Sequence, residues 1–314
     1  MSEALLVGAP KDTLARRVSD VLVARRGLLL MLLLAPPLLW LGVIYLGALF
    51  ALLAQSLFSI DEYSGAIVYE PTLKTFGELL APANFDIILR TLTVSTIVTV
   101  LAAIVAFPIA YYAARYARGR VKALFYVAVM MPLWSSYLVK VYAWKLLLAK
   151  EGAVGWFMHA VGLAGLLDSW LAAPIVGGPS LSVSYTGMVL VFLYLWTPFM
   201  VLPVQAALER VPASLIEASG DLGASPGQTF RNVIFPLALP GLVAGSIFTF
   251  SLTLGDYIVP QIVGPSSLIL GQVVYTQQGT AGNIPLAAAF SVAPILIMGI
   301  FLTLAKRMGA FDAL

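Results

Sequence analysis

The sequence predicts an all-α, polytopic membrane protein: six transmembrane helices, an interfacial helix at the N-terminus and a two-helix corner in one cytoplasmic connection. Three observations carry that reading. The 314 residues are 61% hydrophobic and 11% charged, with a mean hydropathy of +0.96, which is more apolar surface than one soluble core can bury. Six runs, 28–58, 88–114, 122–148, 183–207, 237–258 and 285–305, reach the length of about 20 apolar residues that a helix needs to cross a hydrocarbon layer of about 30 Å. Basic residues also concentrate in alternate connections, as they do on the cytoplasmic side of a membrane.

Residues 1–27 form a basic N-terminal segment in which Leu14, Val18, Val21 and Leu22 fall on one helical face beside Arg16, Arg17, Arg25 and Arg26. That is the pattern of a helix lying on the inner membrane surface, with a disordered basic tail as the alternative. The first span, 28–58, is about twice as long as the 7 to 15 residues of a signal-peptide core, so no cleaved leader is expected. The loop 59–87 carries Asp61, Glu62, Glu70, Glu78 and Asp86 against Lys74 alone, which suits the outer side. Residues 88–306 hold the other five spans, and 307–314 form a tail. Lys11 and the N-terminal arginines, then Arg115, Arg118, Arg120 and Lys122, then Lys306 and Arg307 place both termini in the cytoplasm. Gly152 to Leu167 is apolar but short and glycine-rich, and reads as an outer-surface helix. There are no cysteines, so disulfides and thiolate metal sites are excluded.

The connection 208–236 is ordered beyond what a linker needs. Pro212 suits a first helical turn, Leu215, Ile216 and Leu222 give an apolar edge, and Gly223 suits a left-handed helix stop. Ser225, Pro226 and Gln228 then restart a helix as N-cap, N1 and N3. Pro236 and Pro240 mark the return to the membrane, where a break or bend is expected.

This loop resembles the signature of permease subunits of binding-protein-dependent ABC importers, E-A-A, three residues, G, nine residues, then I-x-L-P. Here Glu217, Ala218, Gly223 and Pro236 match, while Ser219, Val233 and Phe235 are small or apolar replacements. The strings YLVKVYAWKLLLAKEG, WTPFMVLPVQAALERVP and TLGDYIVPQIVG are similar to the spermidine/putrescine branch, and the resemblance covers Ile88 to Lys306. It implies a type I ABC importer permease fold in which Glu217 to Phe230 form a coupling helix, with Glu217, Ala218, Ser219, Asp221, Leu222 and Gly223 meeting the ATPase. It also implies separate ATPase subunits, a second permease, an extracytoplasmic substrate-binding protein, lipid around the spans and a bacterial inner membrane. The second permease is expected to be a related but different chain, and no nucleic-acid partner is expected. No G-x-x-x-x-G-K-[ST] loop is present, so ATP and Mg belong to the partner ATPase and this chain is expected to have no cofactor, metal or enzyme activity of its own. A passive channel is the rival class, but it gives the two-helix corner no purpose.

Polar groups at membrane depth are the candidates for a substrate path. Ser246, Thr249, Thr253 and Asp256 fall within an arc of about 80° on the fifth span. Asp256 is the only carboxylate in the spans, and either faces the cargo or caps a helix and pairs with a neighbouring span. Trp134 and Tyr137 in the third span, Tyr194 and Thr197 in the fourth, and Tyr257 beside Asp256 could stack on an organic cation or merely pack helices. Lys140 and Lys145 are expected to snorkel to the outer interface, and Thr91, Thr93, Ser95, Thr96 and Thr99 to pack helices. With the acidic outer loop and the branch resemblance, these point to a small cationic organic solute, polyamine-like; a non-polyamine solute is the alternative.

Overall fold

The computed structural model describes residues 24–61 and 63–307, so the expected interfacial helix at residues 14–22 and most of the tail lie outside the described residues. The chain divides at Ala54/Gln55. In the first unit, α1 (Arg26–Leu39) passes through a π-helical turn at Trp40–Tyr45 into α2 (Leu46–Gln55). Pro36 and Pro37 lie inside α1 and remove two backbone donors just before that turn. Leu29–Gln55 is long and apolar enough to span a membrane.

The second unit opens with a small hairpin, β1 (Ser59–Ile60) against β2 (Ile67–Val68), in antiparallel register Ser59 to Val68. Its turn is organised by Asp61, whose carboxylate accepts the backbone N–H groups of Ser64 at 2.8 Å and Tyr63 at 3.0 Å. The Ser64 N–H and hydroxyl, then the Tyr63 N–H, hold that carboxyl below its ordinary range. Next come α3 (Lys74–Leu79), α4 (Pro82–Arg115), α5 (Gly119–Trp134), α6 (Tyr137–Leu148), α7 (Ala153–Ala160) and α8 (Ala164–Leu171). A 3₁₀ turn at Leu181–Val183 leads into α9 (Tyr185–Arg210), then α10 (Ala213–Asp221), α11 (Pro226–Thr229), α12 (Phe235–Gly255), α13 (Ile258–Ile262), α14 (Leu270–Gly279) and α15 (Ile284–Arg307).

The long helix α9 is the axis of this unit, because α4 and α12 both pack along it. Ala102, Ala106 and Ala110 recur every four residues on α4 and are fully buried against Met200, Val201, Val204 and Leu208 of α9. Small residues at that spacing let two backbones approach within a membrane, where there is no hydrophobic drive between helices. On α12 the same device is Gly241 and Gly245. A Cβ on Gly241 would meet the Ala207 Cβ at 2.4 Å, and one on Gly245 would meet the Met200 sulfur at 2.6 Å. Thr91, Ser95 and Thr99 of α4 are buried and serve helix packing, whereas Thr93 and Thr96 are exposed; the four threonines bond to carbonyls one turn back.

The third expected span is not one helix. α5 and α6 meet at 94°, with Ser135 and Ser136 extended between them. Pro132 lacks the N–H that would continue the ladder, and its own carbonyl takes the Ser135 hydroxyl at 3.2 Å and the Lys140 ammonium at 2.6 Å. Lys140 therefore turns back to close a broken helix end instead of snorkelling, where a cation is favoured. Among the described residues five helices could cross a membrane, or six with this bent pair as one span. The Gly152–Leu167 stretch resolves into α7 and part of α8, parted by Gly162 at φ +77°, and neither helix is long enough to cross.

Candidate functional site

The first candidate site is the corner between α9 and α12. Pro212 caps α10 from outside, one position earlier than its sequence reading as a first-turn residue. At the other end Gly223 adopts φ +80°, its N–H reaches the Gly220 carbonyl at 2.8 Å, and the Ala224 N–H reaches the Ser219 carbonyl at 3.1 Å. This pair of bonds is the Schellman stop, and its left-handed residue is most easily glycine. Ser225 and Gln228 form the expected capping box, with the Ser225 N–H donating to Oε1 of Gln228 at 2.8 Å. The second short helix, however, does not end before the membrane. It runs through a π turn at Phe230–Ile234 into α12 as one 30-residue helix, Pro226–Gly255, which carries Pro236 and Pro240 without a break. Pro236 follows directly on the π turn, where the ladder is already shifting from one hydrogen-bond spacing to another.

Glu217, Ala218, Asp221, Leu222 and Gly223 are exposed, with Leu222 at 88%, so charged and apolar groups share one protruding edge. Ser219 faces inward and shares a hydrogen bond of 3.0 Å with the Thr229 hydroxyl, tying α10 to α11. Phe230 packs edge-on against Phe107 and Tyr111 of α4, with ring centres 5.7 and 6.1 Å apart. Arg115 at the end of α4 donates to the Val211 carbonyl at 3.1 Å. One oxygen of Glu209 receives Lys122 at 2.8 Å, the Gln205 amide at 3.0 Å and the Tyr126 hydroxyl at 3.1 Å. The connection is thus braced to α4 at Val211 and Phe230 and to α5 through Glu209, and the Ser219–Thr229 bond ties α10 into it. Sequence reasoning missed these braces, whose partners lie up to 123 residues away (230 − 107).

The expected substrate-path residues divide. Tyr194 and Thr197 line a cavity of about 370 Å³ together with Trp144 and Pro132, and Tyr194 packs against Trp144 at 5.3 Å. Tyr257 stacks on Tyr275 at 4.9 Å and lines a second cavity of about 340 Å³ with Gln278 and Ser291. Trp134 is 75% exposed on the outside of the chain. Thr249 and Thr253 are buried, with hydroxyls bonded to the Gly245 and Thr249 carbonyls, so these two hydroxyls are consumed in packing. Asp256 accepts the Tyr137 hydroxyl and, at 2.9 Å, the N–H of Val259, making it both a helix cap and an interhelix partner. A third and larger cavity, about 540 Å³ between α4, α12 and α15, is lined by leucine, isoleucine and phenylalanine with Thr96, Thr99 and Ser246 as its few polar groups.

Residues 106–311 match the family described as the binding-protein-dependent transport system inner membrane component. The chain belongs to that family. It is a permease subunit of an ABC importer, and its relatives agree. The inner membrane ABC transporter permease protein YdcU of Escherichia coli (strain K12) is 56% identical over 298 residues, 95% of each chain. The spermidine/putrescine transport system permease protein PotB of Salmonella typhimurium (strain SL1344) is 28% identical over 237 residues, covering 75% of this permease and 78% of PotB. A crystal structure of a bacterial ABC transporter that imports the acidic polysaccharide alginate superposes with a TM-score of 0.68 over 93% of this permease and 98% of that chain, at 15% identity. That likeness establishes the type I permease fold and no cargo.

Proposed function

We propose that this permease forms half of a path carrying a small organic cation of polyamine type inward, driven by a separate ATPase that docks on the Glu217–Gly223 corner. The geometry of that corner supports the reading: an exposed, capped helix with an apolar tip at Leu222, in a connection braced to two spans, α4 and α5. The ATPase supplies ATP and Mg chemistry, a related but different permease supplies the other half of the path, and an extracytoplasmic binding protein delivers the cargo. Both termini face the cytoplasm of a bacterial inner membrane, in keeping with Arg115, Lys122, Arg210 and Lys306 at alternate helix ends. PotB supports the polyamine class; the name of the 56% identical relative states no cargo. Tyr194, Thr197 and Tyr257 are the wall residues, offering ring faces and hydroxyls, so the partner permease contributes the charge that binds an ammonium.

The test uses the assembled complex in vesicles. Labelled putrescine and spermidine are expected to accumulate inside only with ATP and the binding protein, and uptake of neither would remove the polyamine assignment. In the same vesicles, Glu217→Ala is expected to lower the stimulation of ATP hydrolysis by at least about tenfold, the lower end of what one charged contact of about 1.5–3 kcal/mol is worth. Glu217 is exposed, so its truncation should leave assembly unchanged. Normal stimulation would leave Glu217 as ordinary surface.

A further inference from the structure

One span is broken partway and the helix of another breaks off at its end, and one hydrogen bond joins the two breaks. The first break is the extended pair Ser135–Ser136, after which α6 begins with Tyr137. The second is Asp256, extended at φ −76° and ψ 135° between the end of α12 and the short helix α13. The Tyr137 hydroxyl donates to one carboxylate oxygen of Asp256 across a sequence gap of 119 residues, while the other oxygen accepts the Val259 N–H. Each end of this bond is also held. The Tyr137 ring stacks on Trp196 of α9 at 5.9 Å and 17°. The Asp256 carbonyl lies against α14, where a Cβ on Gly271 would come within 2.5 Å of it. Beyond the breaks, Val141 and Leu148 of α6 share one buried cluster with Val259 and Val263.

We infer that Tyr137 and Asp256 are positioning residues whose hydrogen bond locks the break in the third span to the break at the end of the fifth, so that the two elbows turn together during transport. Extended residues between packed helices are where a chain can absorb a rotation, since no helical ladder has to be broken there. A carboxylate with a donor on each oxygen is satisfied by the protein, and a single hydrogen bond in a water-poor setting is enough to couple two such elements. The inference rests on the transport role and not on the identity of the cargo.

The absence of cysteine allows each elbow to carry one reporter thiol, Ser135→Cys or Gly255→Cys, both exposed in this chain. The probe is a fluorescent maleimide, and its labelling rate on the assembled complex in vesicles is compared without nucleotide and after trapping with ATP and vanadate. No cargo is needed, so failure of the polyamine assignment does not affect the readout. With Tyr137 and Asp256 intact, both thiols are expected to change rate. In Tyr137→Phe, which keeps the ring and its stack on Trp196, one thiol keeps its response and the other's falls by at least about fivefold, the lower end of ordinary coupling between sites. Asp256→Asn should have the same effect, and the double variant no more than either single. Equal responses at both thiols in Tyr137→Phe, or no response at either in the unaltered background, would overturn the inference. So would an effect of Asp256→Asn that Tyr137→Phe does not share, because the carboxylate would then act through another group.

Discussion

Gly223→Val is expected to lower ATP-driven uptake by at least about tenfold while the complex still assembles. Gly223 sits at φ +80°, where an L-residue costs about 1–2 kcal/mol and a β-branched one more. Crowding is not the cause, since a Cβ there would meet nothing within 4 Å. The cost therefore falls on the stop itself: valine relieves the strain by giving up the two bonds to the Gly220 and Ser219 carbonyls, and the corner straightens. Gly223→Asn discriminates, because asparagine tolerates the left-handed conformation and should retain most uptake. If valine transports as well as glycine, the shape of the corner does not matter to coupling.

Gly245→Leu is expected to abolish the folded complex. The Cβ alone would lie 2.6 Å from the Met200 sulfur and 3.1 Å from its backbone, so α12 must move off α9. Overpacking costs about 1–3 kcal/mol in a core that can shift, and here backbone meets backbone at the axis of the fold. Size-exclusion of the fluorescently tagged chain reads the outcome: loss of the assembled peak for Gly245→Leu, and its retention for Gly47→Leu, where a Cβ meets nothing within 4 Å. A normal peak for Gly245→Leu would mean that the crossing of α9 and α12 is looser than its geometry implies.

What could be read from the sequence was local. A span needs only its own hydrophobic run, and the corner's stop and restart are written in Gly223 and in Ser225 to Gln228, within reach of one another. The break at Ser135–Ser136 was obscured because Pro132 lies in an apolar run and membrane helices often carry proline without breaking, as α12 does at Pro240. The serine pair after Pro132 was the available signal. Thr249 and Thr253 looked like a polar face because period alone does not say whether a face is covered, and helix packing buries both. The contacts of Asp256 depend on Tyr137, 119 residues away, and Lys140 depends on a break that the hydropathy does not show. Gly241 and Gly245, four apart in an apolar run, carried a legible packing signal that the polar residues beside them drew attention from.

The central claim is that the corner is where the ATPase pushes, and contact there can be measured directly. Leu222→Cys, in a chain with no other cysteine, is labelled with a maleimide benzophenone and irradiated in the assembled complex, with Tyr63→Cys in the hairpin turn as the comparison. An adduct between the Leu222→Cys chain and the ATPase subunit, with none from Tyr63→Cys, is the predicted result. An intact complex in which the Leu222→Cys label gives no ATPase adduct, or gives one no stronger than Tyr63→Cys, would contradict it.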